Sequence, residues 1–137
     1  MKSVLIIESN PRDAQLVAEM ARELGASTIE TISDFTSAEL RFRQIAQRQH
    51  PVPDLIILDV DFGWDSGYEL LRFWKANRDP FKTSRVVVWA NLTDREQKMV
   101  RYFGAEAVPK HAPDGELRQR LADSKGASAS EGERGPN

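Results

Sequence analysis

Two acidic residues stand where short apolar runs stop. Glu8 follows Val4-Leu5-Ile6-Ile7, and Asp59 follows Leu55-Ile56-Ile57-Leu58, with Asp61 two residues further on. Carboxylates gathered at one spot repel one another unless a proton or a cation relieves them. The donors here are hard oxygens and the chain has no cysteine, so the cation suited to them is Mg2+, which takes few protein ligands and completes its octahedron with waters or phosphate oxygens. The lack of cysteine also removes disulfides, thiolate zinc sites and thiol nucleophiles. His50 and His111 are far apart and neither has a second ligand four residues on, which makes them surface residues rather than metal ligands. Acids at strand ends can also solvate a loop or cap a helix, and Asp65 and Asp94 are read that way. Asp59 is different, because four apolar residues lead directly into it.

The elements that must bring Glu8 and Asp59 together are legible as alternation. Short apolar runs alternate with longer stretches of helical period, which predicts βαβ units around a parallel sheet. Val4–Ile7 precedes a helix opened by Asn10-Pro11 and closed at Gly25. Ser27–Ile32 precedes a helix opening at Thr36, with Glu39 placed for a capping box and Leu40, Phe42, Ile45 and Ala46 as its buried stripe. Leu55–Leu58 precedes a helix starting near Ser66 that carries Leu70, Leu71, Phe73 and Trp74. Val86–Ala90 precedes a fourth helix, opening at Thr93 with Glu96 and closing at Gly104. Ala107-Val108 is the fifth run, and the fifth helix begins around Pro113 with Leu117 and Leu121. Runs one, three and four are apolar throughout and so central, whereas two and five are edges. Right-handed crossovers then fit the strand order 2-1-3-4-5, an α/β, flavodoxin-like doubly wound sheet of five parallel strands with helices on both faces. The winding reverses between strands one and three, so the crevice at their carboxyl ends, between Glu8 and Asp59, is where a ligand belongs.

Composition narrows the function. The 137 residues make one domain, expected over 1–123; residues 124–137 contain no large apolar side chain and read as a disordered C-terminal tail. Nineteen Lys and Arg against twenty-one Asp and Glu give a net charge of −2, which offers no field for nucleic acid or an acidic membrane. Arg95, Lys98, Arg101, Lys110, Arg118 and Arg120 are matched by neighbouring acids, a solvated mixed-charge face. No apolar run suits a spanning helix or a secretory signal, so the expected compartment is the cytoplasm.

Several stretches resemble the response-regulator receiver domain of bacterial two-component signalling: Val4-Leu5-Ile6-Ile7-Glu8-Ser9-Asn10-Pro11, Pro53-Asp54-Leu55-Ile56-Ile57-Leu58-Asp59, Gly67-Tyr68-Glu69-Leu70-Leu71, Gly104-Ala105 and Lys110. The resemblance covers roughly residues 2 to 123. It implies that Asp59 accepts a phosphoryl group from a histidine kinase or phosphotransfer protein, that Lys110 pairs with the phosphoryl oxygens, and that Mg2+ is held by Glu8, Asp59 and the backbone carbonyl of Asp61. Gly67, eight residues after Asp59, stands where the family has a glycine before its third helix. The implied protein is a phosphorelay component rather than an enzyme. It would present the surface of the fourth helix, fifth strand and fifth helix to a downstream protein, and a homodimer is compatible with the class.

The chain departs from the family pattern at several places, among them the segment up to Lys110, which is one residue short and has Pro109 before the lysine instead of a proline after it. Ser9 replaces the second of two adjacent acids, which weakens Mg2+ binding. Trp89 stands fifteen residues before Gly104, where a Ser or Thr hydroxyl is usual, and an indole has one donor and no hydroxyl. Val108 takes the place of the switch aromatic. These departures define a second reading, a pseudo-receiver acting as a protein-interaction module independent of phosphate. A flavodoxin is set aside because Ser9-Asn10-Pro11-Arg12 lacks the glycines and hydroxyls of a phosphate cradle. Trp64, beside the acceptor loop, fits either a partner contact or partial burial against the third helix.

Overall fold

A computed structural model describes residues 2–60, 64–111 and 114–131. In chain order the elements are β1 (Ser3–Ile7), α1 (Pro11–Glu23), β2 (Thr28–Ile32), α2 (Phe35–Ala46), β3 (Leu55–Leu58), α3 (Trp64–Ala76), α4 (Arg78–Phe81), β4 (Arg85–Trp89), α5 (Asp94–Tyr102), β5 (Glu106–Val108) and α6 (Asp114–Glu131). The strands form one parallel sheet in the order β2-β1-β3-β4-β5, as the alternation of runs predicts.

Successive strand residues point to opposite faces, and both faces are covered. Leu5, Ile7, Ile56, Leu58, Val86 and Val88 pack toward Phe42, Leu71, Trp74, Val100 and Phe103 on one side. Val4, Ile6, Leu55, Ile57, Val87 and Trp89 pack toward Val17, Met20, Leu117 and Leu121 on the other. Double coverage is why these strands read as unbroken apolar runs. Each fully buried Ile or Leu contributes about 1.5–3 kcal/mol.

Side-chain acceptors mark the starts of α1, α2 and α5. Asn10 Oδ1 accepts from the backbone N–H of Arg12 at 2.9 Å and of Asp13 at 3.1 Å, with Pro11 at the first helical position. Thr93 and Glu96 form the expected reciprocal capping box on α5. The start of α2 lies earlier than Thr36. Asp34 caps it, accepting from Ser37 N at 2.9 Å, because an ionised carboxylate suits the positive end of a helix better than a hydroxyl. α2 buries Ala38, Phe42 and Ile45, leaving Leu40, expected in the buried stripe, 57% exposed.

α3 begins at Trp64, before the expected Ser66, so Gly67 lies inside its first turn rather than ahead of it. A Cβ at Gly67 would stand 2.1 Å from Val60 Cγ1, so the glycine permits a close approach of helix to strand end. The short α4 has no strong sequence signal. It forms because Phe81 is buried against Phe42, ring centroids 5.4 Å apart, and Pro80 sits in the first turn, where its missing N–H is not needed. α6 continues to Glu131, beyond the residue-123 boundary. No helix of the described residues is long and apolar enough to cross a membrane.

Candidate functional site

The register lines up the ends of the central strands. Ile7 pairs with Leu58, Leu58 with Val88, and Trp89 with Val108. One residue beyond β1 and β3 come Glu8 and Asp59, each still tied to the sheet: Glu8 N donates to Ile32 O at 3.0 Å, and Asp59 N to Ile7 O at 2.9 Å. Ile7 and Leu58 face α2 and α3, so alternation turns Glu8 and Asp59 to the opposite face, the one Trp89 shares with α1 and α6. Glu8 is 2% and Asp59 1% exposed, the two buried charged residues among those described.

Two carboxyl groups this deep require a partner, and Lys110 supplies it. Leaving β5 two residues earlier, the chain brings Nζ of Lys110 to 2.8 Å from Asp59 Oδ2 and 3.1 Å from the Glu8 carboxylate. A third carboxylate joins them: Asp13 Oδ2 lies 2.9 Å from the same ammonium. Beneath, the Trp89 ring centroid is 5.0 Å from Nζ. Burial alone pulls the Lys110 pKa down, but the hydrogen bonds and charges of Asp59, Asp13 and Glu8 outweigh it and hold the ammonium well above the ordinary lysine range. Asn10 N also donates to Glu8 Oε2 at 3.1 Å, so the turn into α1 wraps the Glu8 carboxylate.

The structure therefore brings together Glu8, Asp59, Lys110 and Trp89 of the expected residues. Val108 is buried beside Trp89 in the β4–β5 register. Asp61 lies outside the described residues. Ser9 is exposed. Trp64 is half-buried with its ring 5.9 Å from that of Tyr68 on α3. His50 lies 3.9 Å from Glu30, and His111 N donates to Asn91 Oδ1 at 2.8 Å, neither within a ligand cluster. Asp13 is the residue that sequence reasoning missed. Its signal is an acid three positions past the Asn10 cap, ordinarily read as a complement to the helix dipole.

Glu8 and Asp59 are oxygen donors of the kind a hard divalent cation takes, and with Asp13 they set three carboxylates against one ammonium. Among the described residues, however, no group of three or more acidic, histidine or cysteine side chains is already arranged around a metal position; the carboxylates converge on Lys110 instead.

No protein-family profile matches the chain. Among curated proteins it is similar to the polar-differentiation response regulator DivK of Brucella ovis, 28% identical over 106 residues that span 77% of this chain and 80% of that protein. The DivK of Brucella anthropi is 27% identical over the same length. The fold is that of solved receivers. The Mn2+-bound response regulator Rcp1 superposes with a TM-score of 0.71 at 22% identity, covering 90% of this chain and 91% of that one. The chemotaxis protein CheY4 of Vibrio cholerae gives 0.65 at 23%, covering 90% and 98%. The chain has the fold of response-regulator receivers and is similar in sequence to the response regulator DivK. At the carboxyl end of this sheet Glu8, Asp59 and Lys110 occupy one site, and Trp89 fills the neighbouring place in the row.

Proposed function

We propose that this receiver domain accepts a phosphoryl group on Asp59 from a histidine kinase or phosphotransfer protein, and signals through protein contacts on the face of α5, β5 and α6. The observation that supports it best is the buried Asp59 carboxylate at the carboxyl end of β3, in direct contact with the Lys110 ammonium. In the step, an Asp59 oxygen attacks phosphorus, the P–N bond to the donor imidazole breaks, and an acyl phosphate P–O bond forms while the imidazole nitrogen takes up a proton. Such transfer depends mainly on positioning and charge neutralisation. Lys110 meets charge on the phosphoryl oxygens as a point cation, and the buried wall of Glu8 and Trp89 limits water on that side. Glu8 and Asp59, with the Asp61 carbonyl, would hold Mg2+, which supplies further neutralisation when bound.

The second reading, a phosphate-independent interaction module, is favoured by Trp89, which is 5% exposed and packed where a hydroxyl would contact a phosphoryl group. Incubation with acetyl phosphate and Mg2+, followed by intact-mass measurement, separates the two. Wild type gains one phosphate and Asp59→Ala gains none. No mass gain with small donors or with any histidine kinase supports the interaction module instead.

A further inference from the structure

Lys110 carries its charge on a flexible four-carbon stem, and both its use and its location depend on what holds that stem. Three features hold it. Pro109 fixes the backbone angle just before it. Asp13, from the first turn of α1, meets Nζ at 2.9 Å with its side chain 28% exposed, on the solvent side. Trp89, 5% exposed, presents its ring face to Nζ at 5.0 Å from below. An indole attracts an ammonium through its quadrupole, more so where water is excluded, and a carboxylate bonds it with charge assistance. Ser9 is exposed and offers neither.

We infer that Asp13 and Trp89 are positioning residues, which together seat the Lys110 ammonium on the Asp59 carboxylate. Glu8 and Asp59 attract the ammonium from the strand ends, whereas Asp13 and Trp89 close the other two sides of its seat. The indole thus has a role that a space-filling core residue would lack, and the acid on α1 a role beyond complementing the helix dipole. The purpose of the seat rests on the phosphoacceptor reading; its existence does not.

Lysine acylation tests it in the full chain. Limiting acetic anhydride at about pH 8 labels amines that the reagent can reach, and peptide mass spectrometry gives the rate at Lys110 relative to Lys98, an exposed lysine on α5. In wild type Lys110 is labelled roughly tenfold or more slowly than Lys98. Asp13→Asn and Trp89→Leu each raise the ratio about three- to tenfold, while Trp89→Phe, which keeps a ring face, stays within about twofold of wild type. Urea unfolding of each variant shows that the comparison is made on folded protein, and Asp13→Asn, on a helix surface, keeps the test available should a Trp89 variant not fold. Folded Asp13→Asn with Lys110 labelled as in wild type overturns the proposal, as does Trp89→Phe behaving like a folded Trp89→Leu. The phosphate measurement is independent: the labelling pattern with no mass gain at Asp59 keeps the seat and removes the phosphoacceptor, whereas a mass gain with unchanged labelling does the reverse.

Discussion

At the scale of single residues, Lys110 is the cation on which the site depends. Lys110→Met would leave Glu8 and Asp59, both buried, without their ammonium, and removing one side of a buried ion pair costs about 3–5 kcal/mol. Because the partners raise the Lys110 pKa in the folded chain, this contribution is fully present below the unfolded value of about 10.4 and is lost as pH climbs through the folded one. Urea denaturation of wild type and Lys110→Met at neutral and at strongly alkaline pH should show the gap narrowing at the alkaline end; a constant gap would mean the ammonium is not stabilised there. Ser9 offers a second test of the same charges. Ser9→Asp places another carboxylate beside Glu8 and should tighten Mg2+ by roughly one to two powers of ten, read by Trp fluorescence during titration. Unchanged affinity would show that residue 9 does not reach the cation.

At the scale of elements, the contact between α3 and the end of β3 is the least forgiving. Gly67 packs on Val60, the residue after Asp59, and a Cβ there would meet Val60 Cγ1 at 2.1 Å and its Cβ at 2.8 Å. Gly67→Ala should destabilise by about 1–3 kcal/mol through overpacking, and Val60→Ala should restore part of the loss by removing the nearer atom. Thermal melts of the two single variants and the double variant check this. Additive losses would show that the helix shifts as a body rather than pressing on Val60.

The whole molecule carries signals only if two arrangements bind phosphate differently. In this chain Trp89 and Val108 are both buried in the β4–β5 pair, and Arg85 on β4 is ion-paired with Glu106 on β5. These contacts hold the far edge of the sheet in one packing. Amide hydrogen exchange with and without beryllofluoride and Mg2+ should therefore change at the start of α1, where Asp13 meets Lys110, and by less than about twofold across α5 and β5. Broad changes across α5 and β5 would show that a relay exists without a hydroxyl at position 89.

What the sequence determined was local or periodic. Leu55–Leu58 and Val86–Val88 had to be covered on both faces because no residue in them is polar, and that, with the polar edge runs and right-handed crossovers, ordered the strands and put Glu8 and Asp59 at one crevice. Asn10-Pro11 and Thr93 with Glu96 named their helix starts because a cap acts within one turn. Asp34 outranked Thr36, and Leu40 fell outside the buried stripe, because several phases of one amphipathic helix fit the same residues and only docking selects one. Gly67 reads as a loop glycine until Val60 is placed against it. Asp13, an ordinary first-turn acid in sequence, became part of the site only when the sheet carried Lys110 from β5 across to α1, beside the Trp89 ring. Ion pairs and ring contacts between distant elements have no period to read, so the partners of that ammonium were decided by the tertiary structure.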